Sequence, residues 1–169
     1  MPFVFVRRGD DILMLNREKK PNQGLWNGVG GKIEEGETPL ENVIREVYEE
    51  TGLKLSDAAF RGMVNWKSDG ALYGPMYVYL ADYPAAQIVT TPKKVREGIL
   101  DWKPISWIMA PENRGVTADI SKYFRYLFDE SATFEHLFIY INGKLIDYVR
   151  KTIPEAELEK CSSYGSKQD

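Results

Sequence analysis

Three glutamates in the first third of the chain have a spacing that suits metal-assisted chemistry. Glu46, Glu49 and Glu50 stand at i, i+3 and i+4, which places their carboxylates on one face of a helix. Like charges at this spacing repel by roughly a few tenths of a kcal/mol per pair. A hard divalent cation with oxygen ligands, such as Mg²⁺, would relieve the repulsion and could also bind phosphate oxygens. The cluster therefore predicts a magnesium site; a solvated acidic face is the alternative interpretation of such a pair of neighbouring glutamates.

The segment that carries these glutamates has the start and stop signals of a helix. Thr38 is a good N-cap, Pro39 suits the first helical position, and Glu41 completes a capping box. Gly52 is a natural C-terminal stop. The opposite face carries an apolar stripe at helical spacing, made of Leu40, Val43, Ile44 and Val47. We therefore expect a helix that packs this stripe on a core and turns the carboxylates outward.

The remaining pattern mixes strands with one further helix, which predicts a single α/β unit over residues 1–153. Strands are predicted at residues 3–8, 12–15, 60–66, 77–80, 100–108, 134–141 and 144–149, and a second helix at 119–128. Pro104 predicts that the strand over 100–108 lies at a sheet edge or is bulged. Asn142-Gly143 is a strong signal for a tight hairpin turn. The polar segment 154–169 is predicted to be a flexible tail.

Composition narrows the possible partners and compartments. The chain has 169 residues, a net charge of −3 and one cysteine, Cys161, which cannot form an internal disulfide. No apolar run approaches the roughly 20 residues of a membrane helix, and the N-terminus lacks the charged segment of a signal peptide. The single histidine, His136, lies in an apolar run and is predicted to belong to the core or an edge. We expect a cytoplasmic protein with a small-molecule ligand and without extended nucleic-acid or membrane binding, either a monomer or a homodimer.

One motif covers the glutamates and the glycines around them. The pattern G-x5-E-x7-R-E-U-x-E-E-x-G-U, in which U is a bulky aliphatic residue, is matched in full by Gly31, Glu37, Arg45, Glu46, Val47, Glu49, Glu50, Gly52 and Leu53. This pattern is the Nudix box, and the chain resembles Nudix hydrolases at every fixed position of it. The resemblance implies a Nudix α/β/α sandwich with a mixed β-sheet. It also implies that water attacks a phosphorus atom of a nucleoside diphosphate linked to a further group, with Mg²⁺ or its substitute Mn²⁺ as cofactor.

The resemblance also assigns roles to the metal-binding positions. Glu49, Glu50 and the backbone carbonyl of Gly30 would bind the metal, and Glu46 would be a further ligand or the base that activates water. A carboxylate from a later loop often completes such sites, and Glu97 is the candidate; a solvated loop residue is the alternative interpretation.

Three other residues would support the metal site. Arg45 would orient the carboxylates through its guanidinium fork, Lys32 would meet a phosphate, and Glu37 would tie the glycine-rich loop to the helix. Gly31 and Gly52 are the structural glycines of the box.

Two flanking segments carry a finer resemblance, which concerns the substrate. Residues 24–32 and 138–148 are similar to the MutT-type 8-oxo-dGTP diphosphatases, which protect DNA by removing oxidised purine nucleotides. This resemblance implies that Asn27 reads the purine edge, although Asn27-Gly28 is also an ordinary turn dipeptide. Asp119 matches a second base contact, but where that group has Trp-Pro-Asp-Asp this chain has Val116-Thr117-Ala118-Asp119.

Other Nudix activities stay open as alternatives. A hydrolase of broad specificity, or one acting on ADP-ribose, other nucleoside triphosphates or an RNA 5′ end, would use the same box. The chain lacks the signature of coenzyme A hydrolases and the SQPWPFPxS run of NADH hydrolases. A nucleotide sensor without turnover is the other class, but such a module is expected to lose acidic box residues, and this chain retains them.

Overall fold

A mixed β-sheet forms the middle layer of the molecule. The computed structural model describes residues 1–20, 22–84 and 86–158. The strands are β1 Pro2–Arg8, β2 Asp11–Arg17, β3 Trp26–Asn27, β4 Ala59–Ser68, β5 Ala71–Asp82, β6 Lys93–Val95, β7 Gly98–Pro104, β8 Phe134–Ile141 and β9 Lys144–Thr152. The helices are α1 Pro39–Thr51, α2 Ile105–Ile108 and α3 Ile120–Tyr123, and a 3₁₀ helix spans Phe124–Phe128.

The strands pair in the order β6-β7-β2-β1-β5-β4-β8-β9, and β3 pairs with β2 beside this path. The pairs β1/β5 and β4/β8 are parallel, and the other pairs are antiparallel. A crossover is required wherever two parallel strands are neighbours. The segment 9–70 between β1 and β5 includes α1, and the segment 69–133 between β4 and β8 includes α2, α3 and the 3₁₀ helix.

Each face of the sheet has its own apolar core. On one face, Val43 and Val47 of α1 pack with Val4, Leu13 and Leu15 of the first two strands. On the other face, residues of the 105–128 segment pack on the sheet, and they include Ile108, Ile120, Tyr123, Phe124 and Leu127. The prediction of an α/β/α sandwich around a mixed sheet is therefore confirmed.

The strand predicted over 100–108 differs from the structure in its second half. The strand ends at Pro104 and helix α2 begins at Ile105. Pro104 has no N–H to donate, but it is the last residue of β7. β7 pairs with β2 along its whole length but with β6 only at residues 98–100, so the half that contains Pro104 has a partner on one side only, as expected of an edge strand. The strand at this edge of the sheet is β6. Its three residues are too few to show the alternation of apolar and polar residues that predicts a strand.

The helix predicted over 119–128 is shorter and tighter than expected. Regular α-helix covers only Ile120–Tyr123, and a 3₁₀ helix continues to Phe128. Aromatic side chains lose rotamer freedom in a helix, and this segment carries several. Packing of Phe124 and Leu127 against the sheet holds the segment in place instead.

The last hairpin is as predicted, and the tail is described only in part. Asn142 and Gly143 both have positive φ, 52° and 72°, as a two-residue turn between antiparallel strands requires. Residues 155–158 form a helical turn at the start of the predicted tail. Residues 159–169, including Cys161, lie outside the described residues. No helix in the described part of the chain is long and apolar enough to cross a membrane.

Candidate active site

Helix α1 begins and ends where the sequence predicts. The Thr38 hydroxyl accepts a hydrogen bond from the Glu41 N–H at 3.2 Å, and the Glu41 carboxylate accepts from the Thr38 N–H at 2.8 Å. At the other end, Gly52 has φ +83° and its N–H donates to the carbonyl of Tyr48. These caps fix the helical register, and with it the face on which the glutamates lie.

Arg45 connects the glycine-rich loop to this helix. Its Nε and Nη2 donate to the two carboxylate oxygens of Glu37 at 2.8 and 3.0 Å. The hydrogen bond from Arg45 lowers the pKa of Glu37 to about 2, and Glu37 in turn raises the pKa of Arg45. Arg45 also donates to the Lys32 carbonyl at 3.2 Å. The paired charges hold the loop that precedes α1 against its outer face.

Asn42 makes the same connection from the buried side of the helix. Its side chain is 0% exposed, and its Nδ2 donates to the Lys32 carbonyl at 2.6 Å and to Glu37 at 2.9 Å. Asn42 is not among the residues predicted from the sequence. A polar residue next to Val43, in the apolar stripe of α1, is the signal that could have revealed it, because a buried amide requires partners.

The two glycines that precede Lys32 make room for close contacts. A Cβ on Gly31 would overlap the carboxylate of Glu46, and a Cβ on Gly30 would overlap the Pro2 carbonyl of β1. The loop therefore runs between β1 and the carboxylates of α1 without side chains of its own.

Glu46 and Glu49 are both held by Arg45. Its Nη1 donates to Glu46 at 3.1 Å and lies 3.4 Å from an oxygen of Glu49. Burial raises the pKa of Glu46, and the charge of Arg45 opposes that rise. The Glu49 side chain is the more open of the two, with 56% of its surface exposed against 15% for Glu46.

Glu50 is the carboxylate whose environment is least satisfied by protein groups. Its Oε2 is buried and, within the described part of the chain, has no hydrogen-bond partner. Burial raises its pKa to about 8, and the charges of Glu46 and Glu97 add to the rise while Arg17 opposes it. The fold thus brings Glu97, from the loop before β7, into the electrostatic neighbourhood of α1.

A divalent cation fits this donor set. A buried carboxylate oxygen without a partner, among further carboxylates, is stabilised by a hard positive charge. Within residues 1–20, 22–84 and 86–158, however, no three carboxylate, imidazole or thiol groups converge into a ready-made metal site. Arg45 bonds to one oxygen of Glu46 and one oxygen of Glu49, which leaves the second oxygen of each carboxylate as a possible cation ligand.

The segment before the glycines contains Asn27 and pairs with a distant segment through its backbone. Asn27 is 6% exposed, and its Oδ1 accepts from the Gly28 N–H at 2.9 Å. The backbone of Trp26 bonds to Gly115 at 2.8 Å and to Thr117 at 3.2 Å. This pairing brings the segment that leads to Asp119 alongside Asn27.

The family model of the NUDIX domain matches residues 2–126 of the chain. The chain belongs to the Nudix family. The match includes the glycine-rich loop, α1 and Glu97, so these features lie within the Nudix domain.

The similarity to curated relatives covers only part of the length of each relative. The chain is similar to the NAD-capped RNA hydrolase NudC of Haemophilus influenzae strain PittEE, with 33% identity over 96 residues, 56% of this chain and 35% of the relative. It is also similar to NudC of Actinobacillus succinogenes, with 36% identity over 89 residues, 50% of this chain and 33% of the relative. The chain therefore spans about a third of the length of these relatives.

Solved structures share the Nudix fold with this chain. The MutT protein of Bacillus halodurans superposes with a TM-score of 0.69 and 23% identity, over 89% of this chain and 95% of the other. The MutT protein of Methanosarcina mazei Go1 gives a TM-score of 0.54 and 21% identity, over 75% of this chain and 89% of the other. At these identities the likeness shows the fold alone.

The structure places the predicted Nudix residues in two groups. Arg45 bonds to Glu37, Glu46 and Glu49. Glu50 lies outside these hydrogen bonds, and the charge of Glu97 raises its pKa further. The Lys32 side chain is exposed, and only its backbone carbonyl takes part in the network around Arg45. Asn27 and Asp119 lie outside this network: Asn27 accepts from the Gly28 N–H, and Asp119 accepts from Trp66 and Tyr140.

Proposed function

We propose that this Nudix chain is a pyrophosphohydrolase that uses Mg²⁺, with Mn²⁺ as a substitute, to hydrolyse a nucleoside triphosphate. The observation that carries the proposal is the buried, unpartnered Oε2 of Glu50 among other carboxylates. The residues that would hold the metal are Glu46, Glu49, Glu50, Glu97 and the backbone carbonyl of Gly30. The cation would neutralise phosphate oxygens and lower the pKa of water.

The chain's own groups would position the reactants. Arg45 sets the orientation of Glu46 and Glu49, and Glu37 fixes Arg45 in turn. The exposed Lys32 would bind a phosphate from the rim of the site. Glu46 is suited to accept the proton of the attacking water, because its raised pKa makes it a better base than an ordinary glutamate. One bond then forms between the water oxygen and phosphorus, and the bond to pyrophosphate breaks.

The substrate that we propose is 8-oxo-dGTP, converted with water to 8-oxo-dGMP and pyrophosphate. Support comes from the backbone pairing of Trp26 with Gly115 and Thr117, which brings the segment that leads to Asp119 alongside the strand that contains Asn27. Oxidation at C8 turns N7 of guanine from an acceptor into a donor. A site with an acceptor at this position would therefore discriminate by hydrogen bonding rather than by size.

Steady-state kinetics on 8-oxo-dGTP and dGTP tests the substrate. We expect kcat/KM to favour the oxidised nucleotide by roughly ten- to hundredfold, the selectivity of one unmatched buried polar contact. Asn27→Ala should compress this ratio and leave the dependence on Mg²⁺ unchanged. Asn65→Ala, which removes an amide bound to Glu135, is the matched control and should keep the ratio. Equal kcat/KM for both nucleotides in the wild type would contradict the sanitation role.

A second candidate substrate comes from the curated relatives, whose names state hydrolysis of NAD-capped RNA. The same carboxylates could hydrolyse the pyrophosphate of a dinucleotide, although this chain lacks the SQPWPFPxS run of NADH hydrolases. Turnover of NAD, NAD-capped RNA, ADP-ribose or a triphosphorylated RNA end that exceeds that of 8-oxo-dGTP would favour this candidate or a broad specificity. Nucleotide binding without turnover of any of them would favour a sensor.

A further inference from the structure

Three apolar side chains of the last two strands belong to neither core of the described residues. Leu137 and Ile139 lie on β8 and Val149 lies on β9, and all three are partly exposed. Phe138, between the first two, is buried in the core that the 105–128 segment forms with the sheet. Because successive side chains of a strand alternate between the faces of the sheet, Leu137 and Ile139 point to the other face.

Helix α1 lies on that other face but covers a different part of it. Its core is formed with β1 and β2 and extends along the sheet as far as Phe60 and Met63 of β4. In the described part of the chain, no residue of β8 or β9 packs in this core. We call the uncovered surface of β4, β8 and β9 the open face; it contains Lys67, Leu137, Ile139, Asp147 and Val149.

The strand register arranges the open face in rows. In one row Ile139 lies between Lys67 of β4 and Asp147 of β9, because it is paired with both. In the next row Leu137 is paired with Val149. Side chains of paired residues lie side by side on the same face. The open face therefore has an apolar centre on β8 and β9, with a cation at one side of Ile139 and an anion at the other.

The two charges of this row are available to a partner. Lys67 and Asp147 are both exposed, and neither forms an ion pair with another described residue. Asp147 accepts only the N–H of the next residue, Tyr148, at 2.8 Å. Strand β8 separates the two residues, so their backbones are two strand spacings, or about 10 Å, apart.

A second copy of the chain matches this pattern. A two-fold axis that runs along β8, between two sheets packed face to face, places β8 of one copy on β8 of the other and β4 on β9. Ile139 and Leu137 then meet the same residues of the other copy. Lys67 of each copy faces Asp147 of the other, which gives two equivalent ion pairs. An interface around a two-fold axis must be self-complementary in this way.

We propose that the open face is a dimer interface at which two copies of this chain pack sheet on sheet. The apolar centre provides the buried surface, and the two ion pairs fix the position of the axis. Glu135 and Lys151 also lie on this face, opposite each other in the β8/β9 pair. Packed sheets cross at about 30° and diverge toward their corners, which leaves this pair at the rim.

The size of the face determines how strong the dimer is. Three strands form an interface at the lower end of specific interface sizes, so we expect a dissociation constant on the order of 1–100 μM. The inference is independent of the proposed function, because no residue of the open face belongs to the candidate active site.

Sedimentation velocity of the full chain at about 1 to 500 μM tests the inference, and the wild type should show a monomer–dimer equilibrium in this range. Ile139→Asp brings two carboxylates together at the axis and should raise the dissociation constant at least about tenfold. Circular dichroism melts establish that each variant is folded. If Ile139→Asp does not fold, the exposed charges decide the matter.

A charge exchange tests the two-fold arrangement itself. Lys67→Asp and Asp147→Lys each convert two ion pairs into two like-charge contacts, and each should weaken the dimer at least about tenfold at low salt. The double variant restores opposite charges across the interface and should dimerise within about threefold of the wild type. Lys122→Asp is the matched control. It makes the same change in net charge at an exposed lysine of α3, which packs on the other face of the sheet, and it should leave the dimer unchanged.

A wild-type chain that stays monomeric at every concentration would overturn the inference and assign the open face to another occupant. That occupant would be a segment outside the described residues or a different protein. A dimer that Ile139→Asp leaves intact would place the interface elsewhere on the molecule. Single charge variants that weaken the dimer without restoration in the double variant would reject the two-fold axis along β8, and with it the proposed interface.

Discussion

At the scale of single residues, the strongest conflict between charge and burial is at Glu50. The residue lies on the polar face of α1, where the sequence predicts exposure to solvent or to a metal. In the structure its Oε2 is buried without a partner in the described part of the chain. Burial raises its pKa to about 8, and the charges of Glu46 and Glu97 add to the rise. Such an arrangement destabilises the metal-free protein and favours any cation that enters.

Glu50→Gln should therefore separate activity from stability. The amide loses the charge that binds metal, so we expect most turnover to disappear. It also removes a like charge from a repulsive cluster, so the melting temperature of the metal-free protein should stay the same or rise. Kinetics with added Mg²⁺ and thermal melts in EDTA measure the two effects. Wild-type activity of the EDTA-treated variant after Mg²⁺ is restored would exclude Glu50 as a ligand.

Glu97 lies outside the Nudix box, and its charge adds to the rise in the pKa of Glu50. If it acts on metal and water, Glu97→Gln should lower kcat much more than it raises KM. Glu18→Gln is a suitable control, because Glu18 is also a carboxylate of this region but pairs with Lys94 at the surface. An unchanged kcat for Glu97→Gln would show that Glu97 is a solvated loop residue without a role in the reaction.

At the scale of elements, α1 is the part of the fold on which the site depends most. Its N-terminus is stabilised locally by the capping box of Thr38 and Glu41. Its C-terminus also receives a distant contact, because the Lys93 ammonium of β6 donates to the Thr51 carbonyl at 3.1 Å. A cation at this end of a helix complements the exposed carbonyls. The edge strand β6 thus helps to hold the last turn, which contains Glu49 and Glu50.

Thr38→Ala tests how much the capping box contributes. Removing the hydroxyl should lower the free energy of unfolding by about 1 kcal/mol, the usual contribution of an N-cap side chain. The measurement is urea denaturation, with Thr38→Ser as the control that keeps the hydroxyl and should remain near the wild type. If Thr38→Ala is as stable as the wild type, the box contributes less than its geometry indicates.

At the scale of the whole molecule, strand β8 contains a buried titratable side chain that packs against the 105–128 segment. His136 is 1% exposed, and its ring lies parallel to that of Tyr148, whose hydroxyl is 2.8 Å from Nδ1. Tyr123 and Tyr126 pack against it from the 105–128 segment. Burial, and then the charge of Arg150, lowers its pKa from 6.5 to about 4. The prediction that His136 belongs to the core or an edge is confirmed as core.

This histidine should make the protein sensitive to acid. The unfolded chain takes up the proton near pH 6.5 and the folded chain only near pH 4, so stability falls as the pH drops through this window. The full difference corresponds to about 3 kcal/mol. Urea denaturation of wild type and His136→Phe at pH 7, 6, 5 and 4 measures it, and the variant should show a smaller slope. If the free energy of unfolding falls with pH equally in both proteins, other groups cause the loss of stability in acid.

Much of this protein could be predicted from local sequence. The caps of α1, the turn at Asn142-Gly143 and the face shared by Glu46, Glu49 and Glu50 all depend on residues within a few positions of one another. Such features follow from backbone geometry and short-range hydrogen bonds. The motif spacing also sufficed to indicate the family, because each box residue serves the same loop and helix.

Only the tertiary structure decided which distant groups meet. The burial of Glu50 beside Glu97, the amide of Asn42 under the loop, and the hold of Trp66 and Tyr140 on Asp119 depend on pairings between segments far apart in the chain. The end of β7 at Pro104 and the edge strand β6 were missed for a related reason, since short elements are stabilised by their neighbours rather than by their own pattern. Local sequence determines which side chains lie on each face of a helix or strand. Packing determines which of these side chains are removed from water and which partners they contact, and those partners determine their chemistry.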